Sequence, residues 1–268
     1  MDVPGFALIT GAGSGMGREC AKTFARDGAA GVALLDINAA ALEATKAEVE
    51  PLSMRKDFKI LTHILDVSDE VQVNHVVQDT AQQFGRLDYV VNCAGIGHKH
   101  IGGAAFAETQ DWQRVLDINL NGTFFVLRAA TRIMLKQSPI KSTIDGRDLQ
   151  RGSIVNFASV AGLTGIPMST AYCASKHAVI GLTRTASEDY ARQGIKINAV
   201  CPGYMRTPFT MGNPEIAKSL EERINFMTPL GRLGEPGEVA DAVVYLSGGR
   251  SSYVVGSAMI VDGGYTER

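Results

Sequence analysis

Short apolar runs alternate with longer amphipathic stretches from one end of the chain to the other. FALIT (6–10), GVALLD (31–36), KILTHILDV (59–67), LDYVVNCAG (87–95), GSIVNFAS (152–159), IKINAVCPG (195–203) and SAMIVDGG (257–264) predict strands. Several are continuous aliphatic or β-branched runs, the pattern of strands buried on both faces of a parallel sheet. Between them the spacing predicts helices near 15–28, 38–50, 69–84, 108–136, 171–192 and 236–247. Alternation of this kind predicts an α/β fold with a doubly wound sheet. No internal repeat or low-complexity linker divides the chain, so one domain over 1–268 is expected. The polar stretch KQSPIKSTIDGRDLQRG (136–152) is expected to extend a surface loop ahead of the fifth strand.

Composition narrows the class without naming a chemistry. The 268 residues are 45% hydrophobic and 20% charged, the balance of an ordinary soluble protein. A net charge of −2 offers no basic footprint for nucleic acid. No apolar run reaches the roughly 18 residues of a membrane span, and MDVPGFALITGAGSG lacks the basic and apolar segments of a signal peptide. Cys20, Cys93, Cys173 and Cys201 are scattered without metal-ligand spacing. Free thiols in a reducing compartment, the cytoplasm, are expected.

The first strand runs directly into TGAGSGMG (10–17), and a helix follows. Glycines there let the backbone turn sharply and approach a pyrophosphate, whose charge sits at the helix N-terminus. The spacing is T-G-x-x-x-G-x-G, with Gly11, Gly15 and Gly17, rather than G-x-G-x-x-G. Ser14 and Met16 lie inside the turn. Asp36 ends the second strand, where a carboxylate can hold both adenosine ribose hydroxyls and repel a 2′-phosphate. Its alternative role is a helix N-cap, which Asn38 can fill equally well. With Ser14 before Gly15 and Ile37 after Asp36, no basic residue awaits a phosphate, so NAD is expected over NADP. In TAYCASK (170–176), Tyr172 and Lys176 stand one helical turn apart among small residues. A phenol is a poor acid–base group at neutral pH, and an adjacent ammonium favours the phenolate.

With these motifs the chain resembles the short-chain dehydrogenase/reductase family, in its compact form and over essentially its whole length. The resemblance implies a single Rossmann-type domain and a mainly seven-stranded parallel sheet. Further matches are Asp66 and Val67 at the adenine contact, Asn92, Ala94 and Gly95 in NCAG, and Asn119 in DINLNG. Ser159 matches the catalytic serine and Tyr172 and Lys176 the Y-x-x-x-K pair. Pro202, Gly203 and Thr207 match the turn that holds the nicotinamide amide, and Met205 is expected at the cofactor beside them. By this likeness Ser159 would orient a substrate oxygen and Tyr172 would exchange its proton. Lys176 would lower the tyrosine pKa and hold the nicotinamide ribose, and a kinked helix at Asn119 would bind a relay water.

The implied activity is NAD-dependent interconversion of a secondary alcohol and a ketone. The rivals are an NADP-preferring ketoreductase, a non-redox isomerase or cyclase, and a cofactor-binding protein without turnover. A homotetramer or homodimer is implied, with a substrate lid over about 204–230. Within it Ile216, Leu220, Ile224 and Met227 form an apolar stripe, and Met205, Phe209 and Met211 add surface near the cofactor. A neutral, apolar substrate is therefore expected, with Arg206 and Arg223 as the candidates for meeting an anionic one. VAGLTGIPMST (160–170) either walls the substrate or merely connects. His98 and His100 suggest a metal pair, but no third ligand at suitable spacing is visible and no metal is expected.

Overall fold

The computed structural model describes residues 2–212 and 214–267, and within 214–221 only the side chains of Lys218 and Leu220. Its strands are β1 (Phe6–Thr10), β2 (Gly31–Asp36), β3 (Lys59–Ile64), β4 (Tyr89–Asn92), β5 (Gly152–Phe157), β6 (Ile195–Pro202) and β7 (Ala258–Val261). They form a seven-stranded sheet in the order β3-β2-β1-β4-β5-β6-β7, and each paired neighbour is parallel. The order reverses between β1 and β4, so the connections after these strands diverge to opposite faces. A crevice opens there at the carboxyl ends of the strands.

The helices are α1 (Gly15–Arg26), α2 (Ala39–Val49), α3 (Glu70–Phe84), α4 (Thr109–Leu116), α5 (Thr123–Met134), α6 (Thr170–Tyr190), α7 (Pro208–Met211), α8 (Pro214–Met227) and α9 (Pro236–Ser247). One core layer seals α1, α2 and α9 onto the sheet, with Phe24, Leu42 and Val243 buried against Ile9, Leu34 and Val155. The opposite layer joins α3, α5 and α6, with Val77, Val126 and Ala186 against Leu8, Val90 and Ile197. Burial on both faces explains the unbroken apolar character of the central strands.

The predicted strands overrun mainly at their carboxyl ends. Residues 65–67, 93–95 and 158–159 leave the sheet. There the chain peels away from its neighbours, and Leu65, Asp66, Val67, Cys93, Ala94, Gly95 and Ala158 line a cleft. The long helix predicted over 108–136 is also broken, by a π-helical turn at Asp117–Gly122 between α4 and α5. The Thr123 hydroxyl donates to the Asn119 carbonyl at 2.8 Å, and a Cβ on Gly122 would fall 2.7 Å from Val67 Cγ2. A widened turn of this type commonly marks a functional position. The helices α7 and α8 were not expected as elements, although the stripe predicted on the lid has α8's period.

The stretch 136–152 is more ordered than a plain surface loop. Ile140 and Gln150 pair through their backbones, and Asp2 Oδ1 accepts from the amide and hydroxyl of Thr143 at 3.0 and 2.9 Å.

Lys196, on β6, is a buried cation without a carboxylate partner among the hydrogen bonds of the described residues. Its Nζ donates to the carbonyls of Leu246, Gly248 and Ser251 at 3.0, 3.3 and 3.0 Å and to Ser251 Oγ at 2.7 Å. It therefore closes the carboxyl end of α9, where helix carbonyls lack intrahelical partners and favour a positive charge. Lys196→Met keeps the length and removes the donors. It is expected to lower folding stability by about 3 kcal/mol, read as a shift of the denaturant midpoint at unchanged slope.

Candidate active site

The crevice is a cleft of about 950 Å³, within the range of small-molecule and cofactor sites. Its floor is the turn between β1 and α1. Gly11 and Gly15 have φ of +67° and +52°, which only glycine adopts without strain. A Cβ on Gly11 would lie 2.9 Å from the Ala94 backbone, so this glycine also permits the close approach of β1 and β4. Gly17 packs behind the turn, where a Cβ would strike the Gly11 carbonyl. Ser14 is the N-cap of α1, yet its side chain makes no capping hydrogen bond and the first turn holds no acidic residue. The amides of that turn are thus available to an anion.

Asp36 lines the cleft at the end of β2. Oδ2 accepts from the Gly13 amide at 3.0 Å and Oδ1 from the Asn38 amide at 3.0 Å. The cap of α2 is Asn38, which accepts from Ala41, so the N-cap alternative for Asp36 falls away. Each Asp36 oxygen retains acceptor capacity. Ile37 is 70% exposed and borders the same cleft.

At the other end, α6 carries Tyr172 and Lys176 on one face. The Lys176 ammonium sits 5.6 Å from the centre of the Tyr172 ring and donates to the Phe157 carbonyl at 2.7 Å. Burial pushes this ammonium down to about 8, so it remains largely charged at neutral pH. Burial raises the Tyr172 phenol, opposed by a hydrogen bond with Ser159. Within the protein desolvation is the larger influence on the phenol. Ser159 is buried and its Oγ accepts from the Ala161 amide at 3.1 Å. Cys93 also lines the cleft, but burial pushes its thiol up to about 12, which keeps it protonated and inert as a nucleophile.

Asn119, fully buried in the π-helical turn, is held on both sides. Its Oδ1 accepts from the Ile96 amide at 2.8 Å, and its Nδ2 donates to the Ile96 carbonyl at 2.9 Å and to Ser175 Oγ at 3.1 Å. It thereby ties the loop after β4 to α6 beside Lys176.

The cleft wall gathers Gly11, Ser14, Gly15, Met16, Asp36, Ile37, Asp66, Val67, Ala94, Gly95, Tyr172, Lys176 and Thr207. It does not include Gly17, Asn92, Asn119, Ser159, Pro202, Gly203 or Met205. Asn92 instead joins β4 to β5 through Asn156 at 2.9 Å. Gly203 is pressed against Asp262, 2.8 Å from a would-be Cβ. Met205 was expected at the cofactor, but its side chain turns into the core and borders a second, smaller cavity with Leu230 and Gly234. The physical reason is strand-like pairing of 204–206 with Gly234, which receives from Arg206 and donates to Tyr204. Alternation then sends residue 205 inward.

Sequence reasoning missed one wall of the cleft, formed by Gln110, Gln113, Arg114 and Asp117. Their spacing along α4 and into the π-helical turn was a legible signal of one polar face. The segment 160–170 contributes no side chain to the wall. Phe209 lines the cleft, its ring centre 6.1 Å from that of Tyr172. Ile224 is buried in α8, whereas Ile216 lies outside the described side chains. Arg206 is engaged by Glu235 at 3.2 Å.

These features suit a nicotinamide dinucleotide. The glycine turn and the unclaimed amides of α1 would take its pyrophosphate, and Asp36 its adenosine ribose. Sequence comparison agrees with the geometry. A family model described as enoyl-(acyl carrier protein) reductase matches residues 11–266. Short-chain dehydrogenase fogB of Aspergillus ruber is 40% identical, with 99% of this chain and 98% of that protein covered. Levodione reductase of Leifsonia aquatica is 38% identical over 96% of this chain and 92% of that one. The crystal structure of levodione reductase superposes with a TM-score of 0.86, covering 98% of both chains. The chain belongs to the short-chain dehydrogenase/reductase family. It is an NAD(P)-dependent oxidoreductase of that family, acting on CH–OH groups. None of the helices among the described residues is long and apolar enough to cross a membrane.

Proposed function

We propose that this enzyme interconverts a secondary alcohol and a ketone with NAD(H), using Tyr172 as the general acid–base. The observation that carries this reading is that Tyr172 and Lys176 line the same cleft as Asp36, with Ser159 hydrogen-bonded to Tyr172 from just behind the wall. When bound, the nicotinamide supplies or accepts the hydride. The remaining work belongs to the protein. Ser159 orients the substrate oxygen beside Tyr172, and the phenol gives its proton to the oxygen as negative charge develops there. Lys176 offsets the charge left on the phenolate. Asn119 holds the Ile96 loop and α6 at fixed separation while the proton moves.

The substrate is neutral and apolar beside its reacting carbon, and 204–230 forms its lid. Phe209 and Ile96 supply apolar surface near Tyr172, and the engagement of Arg206 with Glu235 supports the same reading. A panel of ketones matched in size but differing in charge, followed by NADH absorbance, tests it. Neutral ketones are expected to dominate in kcat/KM. A best substrate carrying phosphate, bound selectively through Arg206 or Arg223, would overturn the apolar reading. Product formed without net change in NADH would point to an isomerase instead.

The raised phenol sets the pH dependence. At neutral pH Tyr172 carries its proton, the form that donates during reduction, whereas alcohol oxidation needs the phenolate. Oxidation is therefore expected to speed up as pH rises through the neutral range, and reduction to slow only as pH enters the raised phenol range, above about 10. Lys176 loses its charge above about 8, which withdraws support from the phenolate and should flatten the rise in oxidation. Profiles of kcat/KM in both directions would show these opposite slopes.

A further inference from the structure

The sequence offers His98 and His100 without a third ligand, and the fold supplies one. Asp111, in the first turn of α4, brings Oδ2 within 3.1 Å of His98 Nε2. The two imidazole rings are 5.0 Å apart between centres. One nitrogen from each histidine and one Asp111 oxygen all lie within 4.8 Å of one another. We infer that His98, His100 and Asp111 form a binding site for a divalent transition metal of the zinc type, at the rim of the cleft.

The second observation is the state of His100. Its side chain is 3% exposed, and its Nε2 is buried with no hydrogen-bond partner among the described residues. Buried polar atoms are rarely left unpaired, because their desolvation is uncompensated. A metal ion at the cluster would bring this imidazole an electron-pair acceptor. The backbone holds the residue in place, with the His100 amide donating to the Met168 carbonyl at 2.8 Å and its carbonyl accepting from Gly103 at 2.9 Å. Met168 is in the left-handed region at φ 61°, alone in this among the described non-glycine residues. That close link to a strained residue restricts where His100 can go.

Donor chemistry and spacing select the ion. Two imidazoles and one carboxylate suit zinc, cobalt or nickel rather than magnesium or calcium, which prefer all-oxygen shells. Tetrahedral zinc with bonds near 2.0 Å sets its donors about 3.3 Å apart, close to the 3.1 Å between His98 and Asp111. Rotation of the exposed His98 and Asp111 side chains can close the rest. Both are solvent-facing, at 41% and 38% exposure, so the ion has a route in and the fourth position stays open to water. The ion would clamp the loop after β4 to α4, next to Ile96 and Gln110 of the cleft wall. It takes no part in the proton exchange assigned to Tyr172.

The test uses the whole enzyme, stripped with a chelator and titrated with Co²⁺ by visible absorption and with Zn²⁺ by calorimetry. One equivalent is expected to bind with micromolar affinity, with the strong visible bands of low-coordinate cobalt. His98→Gln and Asp111→Asn alter exposed side chains and are each expected to weaken binding by about 100-fold or more, since even an outer-shell partner contributes about 10- to 100-fold. His100→Gln should do the same, and if it fails to fold, the other two variants decide. His75→Gln, at an exposed position on α3 outside the cluster, should leave binding unchanged. Zinc should raise the thermal midpoint of the wild type and not of His98→Gln. Absence of saturable binding, or binding that survives both His98→Gln and Asp111→Asn, overturns the site.

Discussion

Tyr172→Phe is expected to reduce kcat by about 100- to 10,000-fold, the contribution of one positioned acid–base group. Only the phenolic oxygen is lost, and the ring remains to pack near Phe209. Affinity for NAD should therefore change little, because the glycine turn and Asp36 at the far end of the cleft are untouched. The loss falls on kcat because the proton is needed as charge develops on the substrate oxygen. Single-turnover rates and cofactor titration by fluorescence separate the two effects. A purified variant retaining more than about a tenth of the wild-type kcat, a change of only about 1.4 kcal/mol in the barrier, would remove Tyr172 from the acid–base role.

The paired change Asp36→Ser with Ile37→Arg should invert cofactor choice. Asp36 presents a carboxylate anchored by two backbone amides, so it cannot easily swing away from a 2′-phosphate. Like charges placed together disfavour a partner by several kcal/mol. Removing the carboxylate and placing a guanidinium at the exposed position 37 should shift the NADP-to-NAD ratio of kcat/KM by about 100-fold or more, near 3 kcal/mol. The fold should be unaffected, because Asn38 and not Asp36 caps α2. Unmodified enzyme that already prefers NADP would sink this assignment.

Much of the cleft is legible in the sequence. Gly11 and Gly15 betray themselves because a turn needing positive φ accepts little else. Tyr172 and Lys176 are legible because helical spacing fixes which side chains share a face. Met205 was misread for the complementary reason. Its neighbours in sequence say nothing of Gly234, whose pairing with 204–206 turns the methionine inward. The burial that raises the phenol was hidden too, since an ammonium nearby is visible in sequence and the depth of burial is not.

By itself the sequence determined the strand–helix alternation, the glycine turn, and the faces that α1 and α6 present. Each follows from local periodicity and the steric limits of single residues, which act over a few positions of chain. The tertiary structure decided the meetings between distant segments. Setting β4 beside β1 brings Ala94 against Gly11. Packing α9 behind β6 gives Lys196 four acceptors in the last turn of α9 and the turns that follow it. Folding the loop after β4 across α4 delivers Asp111 to His98 and His100. Such meetings depend on strand order and burial, and local pattern carries no information about which remote segment will arrive.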